Sequence, residues 1–324
     1  MDSTGAKEAL YQLGFKPQFV AAGMEGFVFD VGNSLLAKVW IKKSYGEVVQ
    51  LRFFYIQLRE KQLPFATPGI REILENNSGL VISIEERLAG VPLKDILERN
   101  PANAVLYKKG MDAVVTVVES LGTIGDIPVA RELAILGEPS LRTPDSTWST
   151  MLGEVVNQRA NRYKVVLEKY VFDFESKVTR IVSLLKALNI PRVGVVHGDI
   201  CPENVLVDEA TVTPISLLDF GFLTTSADPF FDAVISTLIF DMYSPSMQKA
   251  RESLRNIYFQ KWGQPFRDIY LLYKAAYALM TSNAYSEDGD DGHFRWCVNI
   301  LNDEETNTVL SYLIMLHGNA ESVQ

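Results

Sequence analysis

Apolar and polar positions alternate in the first third of the chain and then change period. Phe27 to Val31 and Leu35 to Trp40 are two β-type runs joined by "GNS", three residues that favour a tight turn. The next segment, "SYGEVVQLRFFYIQLREKQ", is too long for a strand and apolar enough to predict a buried helix that stops before Pro64. "GLVISIEERLAG" predicts a strand leading into a connector, Ile84 to Gly90. The first ninety residues thus read as strand-rich with one helix. From about residue 94 the period becomes helical. "DFESKVTRIVSLLKAL" puts Val178, Ile181, Val182, Leu185 and Leu188 on one stripe, as expected of a helix facing a core. "VVHGDICPENVLVD", Val195 to Asp208, and "ISLLDFGF", Ile215 to Phe222, interrupt this half with short strands, and helices resume at "FFDAVISTLIFDMY". The expected class is α+β in two lobes: a small β-rich lobe over residues 1–88 and a larger, mainly helical lobe over 89–324. Ligands favour the cleft between such lobes.

Composition narrows the class without naming the chemistry. Of 324 residues 47% are hydrophobic and 22% charged, ordinary values for a soluble globular protein. The N-terminus lacks the basic start and apolar core of a signal peptide, and no run nears the roughly 18 apolar residues that span a bilayer. Cys201 and Cys297 are too few for a disulfide framework, and with three histidines they offer no cluster at zinc-like spacing. A reduced, cytoplasmic protein is expected, with no membrane partner. The net charge of −9 argues against nucleic acid, whose phosphates require stripes of Lys and Arg.

The two interrupting stretches carry the candidate chemistry. Asp199 is followed five residues later by Asn204, and Asp219 stands about twenty residues beyond at the end of an apolar run, with Phe220 and Gly221 behind it. Asp-x-x-x-x-Asn followed by Asp-Phe-Gly matches the catalytic loop and metal-binding signature of kinases. Phosphoryl transfer needs metal ions bridging the phosphates, a cation gripping them, and a carboxylate that receives the acceptor hydroxyl's proton. Mg²⁺ prefers oxygen ligands. Asp199 fits the base, and Asn204 and Asp219 fit the metal ligands. Upstream, "AAGMEGFVF" supplies Gly23 and Gly26, where backbone could approach phosphates, and "LLAKVW" places Lys38 inside a β-run. A lysine there is costly unless its charge is paired or binds an anion. Its expected carboxylate partner is Glu47 on the following helix, with Glu60 at the far end as the second choice.

These motifs together resemble the aminoglycoside phosphotransferase and choline kinase-like superfamily, the small-molecule branch of the protein-kinase-like fold. "HGDICPENVLVD" stands where that family carries His-Gly-Asp-x-x-x-x-Asn, "LLDFGF" at its metal Asp, and "ADPFFDAV" at its Gly-Asp-Pro-x-x-Asp segment. "FATPGI" and "LAGVPL" resemble the stretch around its hinge, where Glu86 and Leu88 are expected nucleotide contacts. The similarity runs from about Phe19 to Val234. It departs in Phe220-Gly221, where many members carry Trp or another residue after the Asp, and in Ala227 for the usual Gly; neither change removes a ligand. The resemblance implies that His197 fixes the catalytic loop and that Asp232 braces it from behind. It further implies a kinase using ATP or GTP with Mg²⁺ to phosphorylate a hydroxyl of a small acceptor. An amino sugar or aminoglycoside-like compound is the first choice, with choline, homoserine or a simple sugar as alternatives. A non-catalytic nucleotide-binding regulator of the same fold is the rival. A protein kinase is excluded because Gly198 replaces the Arg that reads a phosphorylated activation loop and no Ala-Pro-Glu follows Asp219; a P-loop kinase is excluded because its motif does not occur.

Two further features have alternative readings. "YSEDGDDGHFRW" gathers Glu287, Asp288, Asp290 and Asp291, either as a solvated loop between helices or as an acidic lip for a cationic acceptor. Its spacing fails the EF-hand pattern. Cys201, beside the base, reads as a small buried hydrophobe or a reactive thiol.

Overall fold

A computed structural model gives the fold; it describes residues 2–76, 79–143, 146–242 and 247–308. The chain opens with helix α1 (Ser3–Gln12), whose N-cap Asp2 accepts from the Gly5 amide. Strands β1 (Gln18–Gly23), β2 (Gly26–Gly32) and β3 (Leu35–Trp40) follow, then helix α2 (Tyr45–Arg59), strands β4 (Ile70–Glu75), β5 (Val81–Glu86) and β6 (Val91–Pro92), and helices α3 (Leu93–Arg99) and α4 (Ala104–Thr123). Next come α5 (Trp148–Arg162), α6 (Lys164–Leu167), α7 (Phe174–Ala187) and β7 (Gly194–Val196). After these the chain forms β8 (Val205–Val207), β9 (Pro214–Leu217) and β10 (Thr225–Ala227), and then α8 (Phe230–Ile239), α9 (Met247–Thr281) and α10 (Gly292–Asn302).

Packing divides the chain into two compact units, Met1–Ser140 with Asp199–Ser226, and Leu141–Gly198 with Ala227–Gln324. The division does not fall at residue 88, where the sequence suggested a lobe boundary. The physical reason is pairing: β6 bonds to β8 and β8 to β9, so the Asp199–Ser226 stretch and α3–α4 stay with the N-terminal sheet.

In the first unit five antiparallel strands run in the order β1-β2-β3-β5-β4. Asn33 and Ser34 both take positive φ, at 55° and 57°, as a two-residue hairpin turn matching strand twist requires. Phe29, Ala37, Val39, Ile82 and Ile84 pack with Ala6 and Leu10 of α1. This helix was missed in the sequence because its apolar stripe is three residues long. With Ala37 and Val39 turned to that core, Lys38 and Trp40 stand on the other face of the sheet. Helix α2 buries Val48, Leu51, Phe54, Tyr55 and Leu58. Phe54 and Tyr55 seat the Phe220 ring at centroid distances of 5.5 and 6.0 Å.

The second unit is helical apart from β7. Helices α5, α7, α8, α9 and α10 pack together, and all ten residues of α8 are buried. On α7 the buried stripe is Phe174, Lys177, Val178, Ile181, Leu184 and Leu185; Val182 and Leu188 of the expected stripe are only half-buried. Helix α9 is kinked at Gly263, whose φ of 61° breaks the helical run two residues before Pro265. Among the described residues no helix is long and apolar enough to cross a membrane.

Candidate active site

The β8–β9 hairpin aligns the first half of the site. Val205 pairs with Leu217, and the Leu218 amide donates to the Asn204 carbonyl at 2.9 Å, which sets Asn204 beside the residue preceding Asp219. The Asn204 side-chain amide donates to both the backbone carbonyl and Oδ2 of Asp199, each at 2.9 Å. The loop between them is therefore closed by the two candidate residues themselves. Asp219 adopts a left-handed φ of 53° and keeps 62% of its side chain exposed. Gly221, two residues on, has φ +131°, a conformation in which any side chain would be strained.

Strand β3 brings Lys38 to this turn. Its Nζ lies 3.3 Å from Asp219 Oδ1 and 3.5 Å from Glu25 Oε2, and 4.1 Å from the centroid of the Trp40 ring. Burial works against the lysine's charge, but Asp219, Glu25 and Glu85 together hold its pKa above the ordinary lysine value. Trp40 is fixed in turn: its indole N–H donates to Ser83 Oγ at 2.9 Å, and that hydroxyl donates to Glu85. Burial pushes the Glu85 carboxyl up, with Lys38 opposing it.

The Lys38–Glu47 pair expected from the sequence does not form, and neither does the alternative with Glu60. Glu47 accepts from the Ser44 amide at 2.8 Å and from Ser44 Oγ at 2.7 Å, while its own amide donates to Ser44 Oγ; this is a capping box at the N-terminus of α2. Glu60 is the C-cap residue at the other end of that helix. The Ser-x-x-Glu spacing of "SYGE" carried the signal.

Gly26 is also placed differently. A Cβ there would sit 2.0 Å from the Val39 carbonyl oxygen, so this glycine permits close approach of β2 to β3 and does not need a phosphate to explain it. Gly23 has open space around its α-carbon. Glu86, the last residue of β5, has its carboxylate held by Arg59 and Arg71 at 3.1 Å each, and the Arg71 hydrogen bond leads in lowering its pKa. Leu88 is half-buried beyond β5.

The second unit fixes the residues that run into Asp199. The amides of His197 and Gly198 donate to Oδ2 and Oδ1 of Asp232, both at 2.7 Å, and Gly198 takes φ 85°. Burial pushes the Asp232 carboxyl up to about 7, against the pull of those two amides. A folded-state pKa above the unfolded value makes this group's stabilisation complete at acid pH and lost as pH rises through about 7. Asp232→Asn cannot ionise, so the Tm of wild type relative to this variant is expected to fall between pH 4 and pH 8. A constant Tm difference over that range would sink the assignment. A few residues upstream, Arg192 grips Asp228 bidentately, Nε to Oδ1 at 3.1 Å and Nη2 to Oδ2 at 3.0 Å, and Tyr273 donates to Oδ2 at 3.0 Å.

Among the described residues no three His, Cys, Asp or Glu side chains gather in a metal cage. Asn204 and Asp219 fit Mg²⁺ all the same, because that ion is commonly bound by one or two protein oxygens, with phosphates and waters completing its octahedron. Cys201 lies two residues from Asp199, and burial, with Asp199 nearby, pushes its thiol well above the ordinary cysteine value, which favours the neutral thiol. In the acidic segment Asp291 caps α10, accepting from the Phe294 amide at 2.8 Å, and Asn283 ties the Ser286 and Glu287 carbonyls. Glu287, Asp288 and Asp290 are exposed. Glu25, Trp40, Lys43, Glu85 and the Arg192–Asp228 pair were not singled out from the sequence as parts of a site.

Comparison with known proteins supplies the lineage. No curated protein matches the chain. Of solved structures, a mutant of aminoglycoside 2′-phosphotransferase-IIIa in complex with GDP superposes with a TM-score of 0.60 at 12% identity, covering 95% of this chain and 98% of that one. The GDP and kanamycin complex of APH(2″)-IIIa gives 0.54 at 14% identity, with 94% and 98% covered. The streptomycin–ATP–APH(2″)-IIa ternary complex gives 0.50 at 12%, with 93% and 96% covered. At such identities the likeness shows the fold, which is protein-kinase-like. The model of the phosphotransferase enzyme family (APH) matches residues 54–273, a span that begins after Lys38 and contains Asp199, Asn204, Asp219 and Asp232. With that match over two thirds of its length, the chain belongs to the phosphotransferase enzyme family.

Proposed function

We propose that the protein is a kinase that moves the γ-phosphate of ATP or GTP to a hydroxyl of a small acceptor. The observation that carries this reading is the juxtaposition of Lys38 with Asp219 at 3.3 Å, in the same compact unit as the Asp199–Asn204 loop. Asp199 holds the acceptor hydroxyl and receives its proton. Lys38 neutralises phosphate charge, and Asn204 and Asp219 would offer oxygens to Mg²⁺, which when bound would neutralise the phosphate charge that repels an incoming nucleophile. A hydroxyl-bearing amino sugar is the acceptor class we favour, since similar folds hold kanamycin and streptomycin; choline, homoserine or a sugar are the alternatives. Both cysteines are free, in keeping with a cytoplasmic setting.

The test has two arms. Nucleotide consumption is followed across a panel of hydroxyl compounds, and nucleotide binding is titrated calorimetrically with and without Mg²⁺. Turnover is expected with at least one compound, and Asp219→Ala is expected to lose the metal-dependent tightening of nucleotide binding. Nucleotide binding with no turnover on any alcohol would favour the non-catalytic regulator instead. An unchanged Mg²⁺ effect in the variant would move the metal site elsewhere.

A further inference from the structure

A second lysine shares the carboxylate that holds Lys38. Lys43, in the link between β3 and α2, places Nζ 2.9 Å from Glu25 Oε1, while the other oxygen of the same carboxylate lies 3.5 Å from Lys38 Nζ. Only 8% of the Lys43 side chain and 14% of the Lys38 side chain are exposed, whereas Lys42 beside them is in solvent. Two ammonium groups withdrawn from water need an anion between them. Glu25 provides it from the tip of the two-residue Met24–Glu25 turn that joins β1 to β2. The bridge lies against the metal turn: a Cβ added to Gly221 would meet Lys43 Nζ at 3.6 Å and Glu25 Oε1 at 3.7 Å. Lys43 also lines a small cavity with Glu47, Leu51, Leu133 and Gly221.

We propose that Lys43 is a second phosphate-binding residue of the nucleotide site, and that Glu25 occupies the place of a nucleotide phosphate between Lys38 and Lys43 until nucleotide displaces it. This rests on the kinase reading given above. A carboxylate and a phosphate compete for the same two ammonium groups and repel each other, so both cannot stay. The Glu25 backbone carbonyl accepts from the Ile41 amide at 2.9 Å, so the turn itself stays in place and displacement is a rotation of the Glu25 side chain away from the two lysines. The specificity that follows is for the polyphosphate chain: Lys43 reads charge and not the base.

Equilibrium binding to the full chain tests this, with ATP, GTP, inorganic tripolyphosphate and adenosine as probes. Lys43→Met is expected to weaken the triphosphate-bearing probes roughly 10- to 100-fold, the range for a charge-assisted hydrogen bond, and to leave adenosine unchanged. Lys43→Arg should retain most of the affinity, which separates lost charge from lost folding. Glu25→Gln, which removes the competitor and keeps the shape, is expected to bind triphosphates several-fold more tightly, on the order of 5- to 10-fold for about 1 kcal/mol of relieved competition. Lys38→Met serves as the reference. If it loses triphosphate binding while Lys43→Met does not, the kinase reading stands and the second lysine's role falls. If Glu25→Gln binds no more tightly than wild type, the placeholder falls. If the wild-type chain binds no triphosphate at all, the kinase reading falls and takes this inference with it.

Discussion

Replacing Asp199 by Asn is expected to lower kcat by roughly 10²- to 10⁴-fold, the range for a general acid–base group, with nucleotide affinity nearly unchanged. The substitution preserves size and removes the one property the transfer requires at this atom, a carboxylate able to take a proton. The geometry makes the expectation sharp. Asn204 donates to Asp199 Oδ2 and to its backbone carbonyl, so the side chain is held in one orientation with the second oxygen, Oδ1, not engaged by Asn204. An Asn at 199 can still accept from Asn204 through its amide oxygen, which then turns an NH₂ toward the acceptor hydroxyl. The loop should therefore keep its shape while its function reverses from proton acceptor to donor. Turnover measured with an acceptor found in the panel, together with a nucleotide titration, checks both halves. Wild-type turnover would remove Asp199 from its role. A parallel loss of nucleotide binding would mean that the loop had collapsed.

Much of this site was legible because its elements are local. Asp199, Asn204 and Asp219 occupy fixed offsets on a hairpin whose register is set by Val205 opposite Leu217, so spacing alone could place them. Lys38 was legible because a lysine in a β-run needs a partner. The identity of that partner was not: the following helix offered Glu47 and Glu60, whereas the carboxylates that meet Lys38 are Glu25, in the turn before β2, and Asp219, 181 residues on. Only the Ser44 capping box removes Glu47 from contention. A general lesson sits in that pair: a carboxylate at N3 behind a serine N-cap has a local use that competes with any distant one. Gly26 shows the converse. Gly-x-x-Gly invites a phosphate-loop reading, whereas the 2.0 Å clearance to the Val39 carbonyl gives it a steric reason within the sheet. Lys43 and Glu25 could not be separated from ordinary surface charges, because Lys42 and Lys43 are adjacent in sequence and only the chain's path buries one of them. The division into compact units was not legible for a related reason. Nothing local shows that β6, a two-residue strand, pairs with β8 more than a hundred residues away.

The largest stability effect is expected at Arg192, well outside any motif. Asp228 is wholly buried, and its two oxygens are met by the fork of the Arg192 guanidinium, with Tyr273 and the Phe230 amide completing its shell. Arg192 also lies over the Phe230 ring, 3.8 Å from its centroid. Arg192→Met keeps the apolar stem over that ring and removes the charge, leaving a carboxylate buried without a cation. Breaking a buried pair in this way costs about 3–5 kcal/mol. The lower end applies, because Arg192 is itself about a third exposed and Asp228 retains two neutral donors. Denaturant unfolding should show the loss as a lower midpoint with an unchanged slope. The double variant Arg192→Met, Asp228→Asn separates charge from packing: with the buried charge gone, it should be more stable than Arg192→Met alone. Arg192 enters β7, whose far end delivers the His197 and Gly198 amides to Asp232, so the weakened anchor should also loosen those two hydrogen bonds. A single variant within 0.5 kcal/mol of wild type, or a double variant no better than the single, would show that Asp228 does not depend on Arg192 for its charge.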